Sequence, residues 1–208
     1  MKIGIIGATG QVGSLLLAEA VKRQLDVTAI VRSPQKVTAA VPILAKDLFA
    51  LTKEDLAPFD VVIDAFNAPK GHEELHETSL AHLTKLLQGT TTRLLVVGGA
   101  SSLFVDEGKT KRMIDGVSSD APFYPTAHHM VEASLQLKAT PNLHWLYLSP
   151  AVYFYPHGVQ TGHYQLGDDQ LRENAAGKSE ISMADYALAM LDLAAQPEKE
   201  GHFSVYQQ

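Results

Sequence analysis

The chain has 208 residues, with 17 Lys+Arg against 23 Asp+Glu and a formal charge of −6 with histidines neutral. This length, with 46% hydrophobic residues, supports one folded core and excludes a disordered chain. The acidic balance, without a Lys/Arg run, offers no footprint for direct nucleic-acid binding. The absence of cysteine excludes disulfides, thiolate metal sites and cysteine nucleophiles. After Met1-Lys2 comes neither a cleavable leader pattern nor a membrane-spanning run, so the expected location is the cytoplasm with no membrane partner.

Ile3-Gly4-Ile5-Ile6 is a short apolar run that breaks at Gly7-Ala8-Thr9-Gly10-Gln11-Val12-Gly13. Leu15, Leu16, Ala18, Ala20 and Val21 then continue with helical character. Asp26 to Arg32 is rich in β-branched residues, so residues 3–32 read as one βαβ unit with a parallel second strand. Further strands are predicted at Pro42–Ala45, Val61–Asp64, Leu94–Val97 and His144–Leu148, with helices over 71–89 and 126–139. A last helix from Met183 to Ala195, with Ser182 as its N-cap, precedes a closing strand at His202–Tyr206.

This alternation predicts an α/β, Rossmann-type doubly wound parallel sheet forming a single domain over residues 1–208. Two stretches interrupt it: Gly98–Pro125, rich in Gly, Ser and Asp, and 151–180, which is aromatic and aperiodic. Long loops after parallel strands are usually functional. The second is expected to be a small loop-rich substrate cap, and the two together to wall one cleft.

The G-x-x-G-x-x-G pattern of Gly7, Gly10 and Gly13 sits directly between a strand and a helix. Such a turn brings backbone close to a pyrophosphate and presents unpaired N–H groups at the positive end of the helix dipole. Dinucleotide binding follows, with Gly7, Thr9, Gly10, Gln11, Val12 and Gly13 as cofactor-binding residues. At the end of the second strand, where an NAD site usually carries Asp or Glu, the chain reads Val31-Arg32-Ser33. A guanidinium with a neighbouring hydroxyl suits a 2′-phosphate, so NADP(H) is favoured over NAD(H). Asp47 after the third strand is a candidate for the adenine amine, Asn67-Ala68 after the fourth for the ribose, and Gly98 after the fifth for the cofactor.

GATGQVG, VRSP, VVGGASSLF, LSPAVYF and ISMADYALAML, in this order, resemble the atypical short-chain dehydrogenase/reductases over essentially the whole chain, and most of all the NADH-flavin reductase branch. Relatives of that branch include biliverdin/flavin reductases, NmrA-like redox sensors and nucleotide-sugar epimerases. The resemblance implies an NAD(P)H-dependent oxidoreductase that reduces a flavin- or quinone-like small molecule. The alternatives it leaves open are a non-catalytic NADP(H) sensor that signals to a protein partner, and an epimerase-like enzyme.

Catalytic members of the superfamily carry a Tyr-x-x-x-Lys pair, and here the nearest match is Tyr124-Pro125-Thr126-Ala127-His128, with histidine in place of lysine. The resemblance to biliverdin/flavin reductases carries Ser101 and His128 over as hydrogen-bond or proton donors, beside Tyr124. Pro150 is expected to shape the nicotinamide pocket, and Tyr153, Phe154 and Tyr155 to supply a stacking wall for the acceptor. The alternative is that His128 and these aromatics are packing residues.

His72-Glu73-Glu74-Leu75-His76, with His82 beyond, matches a zinc-protease pattern. Position 79, where the turning glycine belongs, is Ser. In an unbroken helix of about 100° per residue, His82 points roughly 80° from His72 and about 120° from His76, so the three cannot meet at one ion. No metal site is expected.

Overall fold

The computed structural model describes all residues, Met1–Gln208. Strand β1 (Lys2–Ile6), helix α1 (Gln11–Lys22) and strand β2 (Asp26–Val31) form the first βαβ unit, followed by β3 (Ile43–Ala45), a one-turn helix α2 (Lys53–Leu56), β4 (Val61–Asp64), α3 (Leu75–Leu87) and β5 (Arg93–Val97). The second half holds α4 (Tyr124–Ala139), β6 (Trp145–Pro150), β7 (Tyr153–Tyr155), β8 (Tyr164–Gly167), β9 (Glu180–Ser182), α5 (Met183–Ala194) and β10 (Gly201–Gln207). One eight-stranded sheet runs β3-β2-β1-β4-β5-β6-β10-β8, all parallel except β8, which lies antiparallel to β10 at the edge.

The sheet is a single Rossmann-type domain whose strands are apolar on both faces, as burial under helices requires. Helices α1 and α5 pack together on one face over Ile3, Ile5, Val61 and Leu146. Helices α3 and α4 pack on the other over Ile6, Val62, Leu94 and Tyr147. Ser182 caps α5 by accepting the Asp185 amide at 3.0 Å, as its position in the sequence predicts. No helix is long and apolar enough to cross a membrane.

Two expectations change. The segment 151–180 is not uniformly loop: β7 pairs with β9, and β8 extends the main sheet. These strands are only three or four residues long and carry no alternating pattern, which is why periodicity misses them. The helix expected over 71–89 begins at Leu75, leaving His72 exposed in a preceding turn. His72 and His76 therefore do not share a helical face; His72 lies 3.6 Å from Glu74, and His82 Nε2 reaches the Leu51 carbonyl at 3.1 Å.

The turn after β1 holds the N-terminal half together. Gly7 has φ of +72°, a left-handed conformation open to glycine, and a side chain at Gly13 would stand 2.1 Å from the Gly7 carbonyl oxygen. Gly13→Ala is expected to cost about 1–3 kcal/mol through this overpacking. Urea unfolding checks it, and a midpoint equal to the parent's would contradict the packing described.

Candidate functional site

The strand order reverses between β1 and β4, since β2 and β3 lie on one side and β5, β6 and β10 on the other. A crevice outside the carboxyl ends of the strands is expected at such a point. A cleft of about 1240 Å³ opens there, running from Arg32, past the glycine turn, to Phe154.

Its central part is the turn itself. Gly7, Thr9, Gly10, Gln11 and Val12 line the cleft. Gly10 is the N-cap of helix α1 and no side chain caps it, so the first N–H groups of the helix are left for a ligand. Gly13 is not in the lining; it lies behind, where its missing side chain lets α1 pack on the turn. A side chain at Gly7 would meet the Ala65 carbonyl oxygen at 2.6 Å, so the turn also abuts the end of β4.

One end of the cleft is basic. Arg32, Ser33, Lys36 and Lys46 line it together with Asp47 and Phe49. Asp47 accepts the Phe49 amide at 3.0 Å and lies 3.8 Å from the Arg32 guanidinium, while Lys46 is committed to Asp55 at 2.7 Å. Lys36, one 3₁₀ turn beyond Arg32, and the half-exposed Phe49 were not singled out from the sequence. The signal for Lys36 was its spacing from Arg32 across Pro34. Asn67 also lines the cleft, whereas Ala68 is buried beside it and does not.

The other end is apolar with free hydroxyls. Gly98, Gly99 and Ser101 form one side, Pro150, Val152, Phe154 and Met183 another, and Phe123, Thr126, Ala127 and Met130 of the α4 region a third. The two long loops are laced to each other, with the Phe104 amide donating to the Asp169 carbonyl and the Leu171 amide to the Phe104 carbonyl at 2.9 and 2.8 Å. Two basic residues of the first loop are engaged here. Lys109 pairs with Asp168 and Asp169 at 3.1 and 2.5 Å, and Arg112 lies over the Phe104 ring and donates to the Ser102 carbonyl.

Several expected site residues stand outside the lining. Tyr124 and His128 stack on each other, ring centroids 5.7 Å apart, on a face of α4 next to the one that Thr126, Ala127 and Met130 turn to the cleft. Tyr124 packs instead with Val117 around Ile114 and Val131. Of the aromatic trio only Phe154 faces the cleft, backed by Tyr186 at 4.9 Å. Alternation along β7 turns its neighbours the other way: Tyr153 is 69% exposed and the Tyr155 hydroxyl donates to Gln207. Thr126 was missed because its neighbour Tyr124 drew the motif match.

Two titratable groups, one buried and one part-buried, flank this end. Asp64, at the end of β4, accepts only the Phe66 amide, and burial pushes its carboxyl up to about 6. It shares a small cavity of about 20 Å³ with His76, whose buried Nε2 has no partner. His202 on β10 is held down to about 4, chiefly by burial.

The family model described as NAD(P)H-binding matches residues 7–197. The chain belongs to this NAD(P)H-binding family. This NAD(P)H-binding chain is 50% identical over 208 residues to the uncharacterized protein YwnB of Bacillus subtilis, covering 99% of itself and 98% of that protein. A Streptococcus pneumoniae structure, provisionally named an NADH-flavin reductase, is similar at 42% identity with a TM-score of 0.95, each chain covered at 100%. A Bacteroides thetaiotaomicron structure, provisionally named an epimerase, is 35% identical with a TM-score of 0.85, covering 99% of this chain and 96% of its own. These neighbours agree with the branch that the sequence motifs indicate.

The two shifted groups oppose each other in acid. His202 is held neutral in the fold and takes up a proton near 6.5 once unfolded, so its contribution is full above about 6.5 and is lost as pH falls towards about 4. Asp64 binds its proton more readily in the fold, so its cost is full above about 6 and is relieved as pH falls towards 3.8. Asp64→Asn is therefore expected to lose stability more steeply than the parent between about pH 6.5 and pH 4.5, and His202→Phe less steeply. Urea midpoints across that range check both signs; identical slopes in all three proteins would contradict them.

Proposed function

We propose that the protein is an NADPH-dependent oxidoreductase that reduces a flat conjugated acceptor of the flavin or quinone class. The observation carrying this reading is the division of one continuous cleft into a basic end, a glycine turn and an apolar end. The family supplies the nicotinamide nucleotide. Along the cleft, Gln11 and Val12 at the uncapped start of α1 hold the pyrophosphate by backbone N–H groups. Arg32, Ser33 and Lys36 take the 2′-phosphate, a dianion that a lone ribose hydroxyl does not replace. With Arg32 drawn to that phosphate, Asp47 is free to accept from the adenine amine. Asn67 stands beside the ribose.

When bound, the reduced nucleotide supplies a hydride, and the acceptor takes up one further proton from solvent or a nearby hydroxyl. The chain's own part is to orient and to exclude water. Phe154, Met183, Val152 and Met130 form apolar walls suited to a planar ring, and Ser101 and Thr126 offer hydroxyls to its polar edge. A conjugated ring accepts a hydride without a strong acid at its carbonyl. Such an acceptor fits a cleft into which neither Tyr124 nor His128 reaches.

The name of the Streptococcus relative supports the acceptor class. The test is titration with NADPH and NADH, followed by NADPH oxidation on adding FMN, riboflavin or a simple quinone. Preferential NADPH binding and acceptor-dependent oxidation are expected. Arg32→Ala should raise the NADPH Kd about 10- to 100-fold and leave the NADH Kd nearly unchanged. Equal effects on both nucleotides would sink the 2′-phosphate assignment; tight NADPH binding with no oxidation by any acceptor would favour a redox sensor.

A further inference from the structure

Ser101 sits on the sharp turn that follows β5, and its position depends on how that turn is held. Several polar backbone groups of the turn are tied down. The Gly98 amide donates to the Leu148 carbonyl at 2.9 Å, and the Gly99 amide donates to the Tyr147 hydroxyl at 3.3 Å. The Gly99 carbonyl accepts from the Ser102 hydroxyl at 2.8 Å and from the Ser149 hydroxyl at 2.9 Å. Arg112 donates to the Ser102 carbonyl. The Ser101 hydroxyl takes no part in these bonds.

Tyr147 and Ser149 are two apart on β6 and so share one face, and β10 pairs in register beside them, His202 opposite Tyr147. His202 Nε2 lies 2.8 Å from the Ser149 hydroxyl and 3.4 Å from that of Ser102, and its ring stands edge-on to Tyr147 with centroids 5.1 Å apart. Each serine has one proton to give. The Ser102 and Ser149 hydroxyls also stand 3.0 Å apart, so these two side chains, the Gly99 carbonyl and His202 Nε2 form one closed hydrogen-bond cluster. The imidazole thus anchors two hydroxyls, and they in turn fix one carbonyl. Ser102 belongs to the cleft wall but is almost fully buried, and Ser149 lies behind it outside the lining, so the brace acts on the wall itself.

We propose that Ser149 and His202 are positioning residues: a hydrogen-bond brace, spanning β10, β6 and the turn after β5, that sets the turn and aims Ser101 at the acceptor. This rests on the reductase reading above and adds residues to the same site. A turn left to relax by about 1 Å costs up to about 100-fold in a positioned reaction while leaving distant contacts intact.

The test compares the parent with Ser149→Ala, His202→Phe and His202→Gln, the last keeping an N–H donor at similar reach. NADPH oxidation with FMN, NADPH affinity, thermal midpoint and amide NMR spectra are measured on each. Ser149→Ala and His202→Phe should lower kcat between about 10- and 100-fold with the NADPH Kd within about twofold, and His202→Gln should recover most of the loss. In Ser149→Ala the Gly99–Ser101 amide signals and the His202 ring nitrogens should shift. Parental kcat in both variants overturns the proposal, and so does a parallel loss of kcat, affinity and thermal midpoint, which marks general packing. If the parent itself oxidises no NADPH, the reductase reading fails; the brace is then decided by the spectra, upheld if those signals move and overturned if they stay.

Discussion

The close approach of helix α1 to the end of β1 is the constraint on which the rest depends. It exists because Gly13 has no side chain to strike the Gly7 carbonyl and because Gly7 turns the chain through a left-handed conformation. Given that approach, the uncapped N-terminus of α1 lies at the carboxyl edge of the sheet, beside the point where strand order reverses. The positive end of the helix dipole then faces the middle of the cleft, and the two ends of the cleft acquire their character from whatever the neighbouring strands deliver. Strands β2 and β3 deliver the cations and Asp47; β5 and β6 deliver the Gly98–Ser102 turn and the apolar wall after Pro150.

The contrast between those ends explains the proposed chemistry better than any single side chain does. A dianionic phosphate is recognised by paired charge, which the basic end supplies. A planar acceptor is recognised by apolar area with a few hydroxyls, which the far end supplies. The titratable groups near the far end, buried Asp64 and part-buried His202, are shifted towards their neutral forms. They shape the wall and do not reach into the cleft.

Most of the sheet was legible in the sequence because its central strands are continuous apolar runs separated by helices with clear apolar material. The glycine turn was legible for a local reason, its pattern being written in adjacent residues, and Arg32, read the same way, lies in the cleft lining. What failed were readings that needed tertiary orientation. Tyr124 and His128 form a motif-like pair, yet the roll of α4 turns Thr126 and Met130 inward instead. Tyr153 and Tyr155 look like a wall with Phe154 until strand alternation separates them. Ser149 and His202 are 53 residues apart and carry no sequence signal; only the pairing of β6 with β10 joins them.

The most direct test of the central claim, that the dinucleotide lies along this cleft with its phosphates at the glycine turn, is hydrogen–deuterium exchange with and without NADPH. Slowed exchange is expected in three separated segments, residues 7–14, 32–36 and 97–103, with α2 and β8 unchanged. Unaltered exchange in the glycine turn at saturating NADPH, or protection confined to other surfaces, would contradict it.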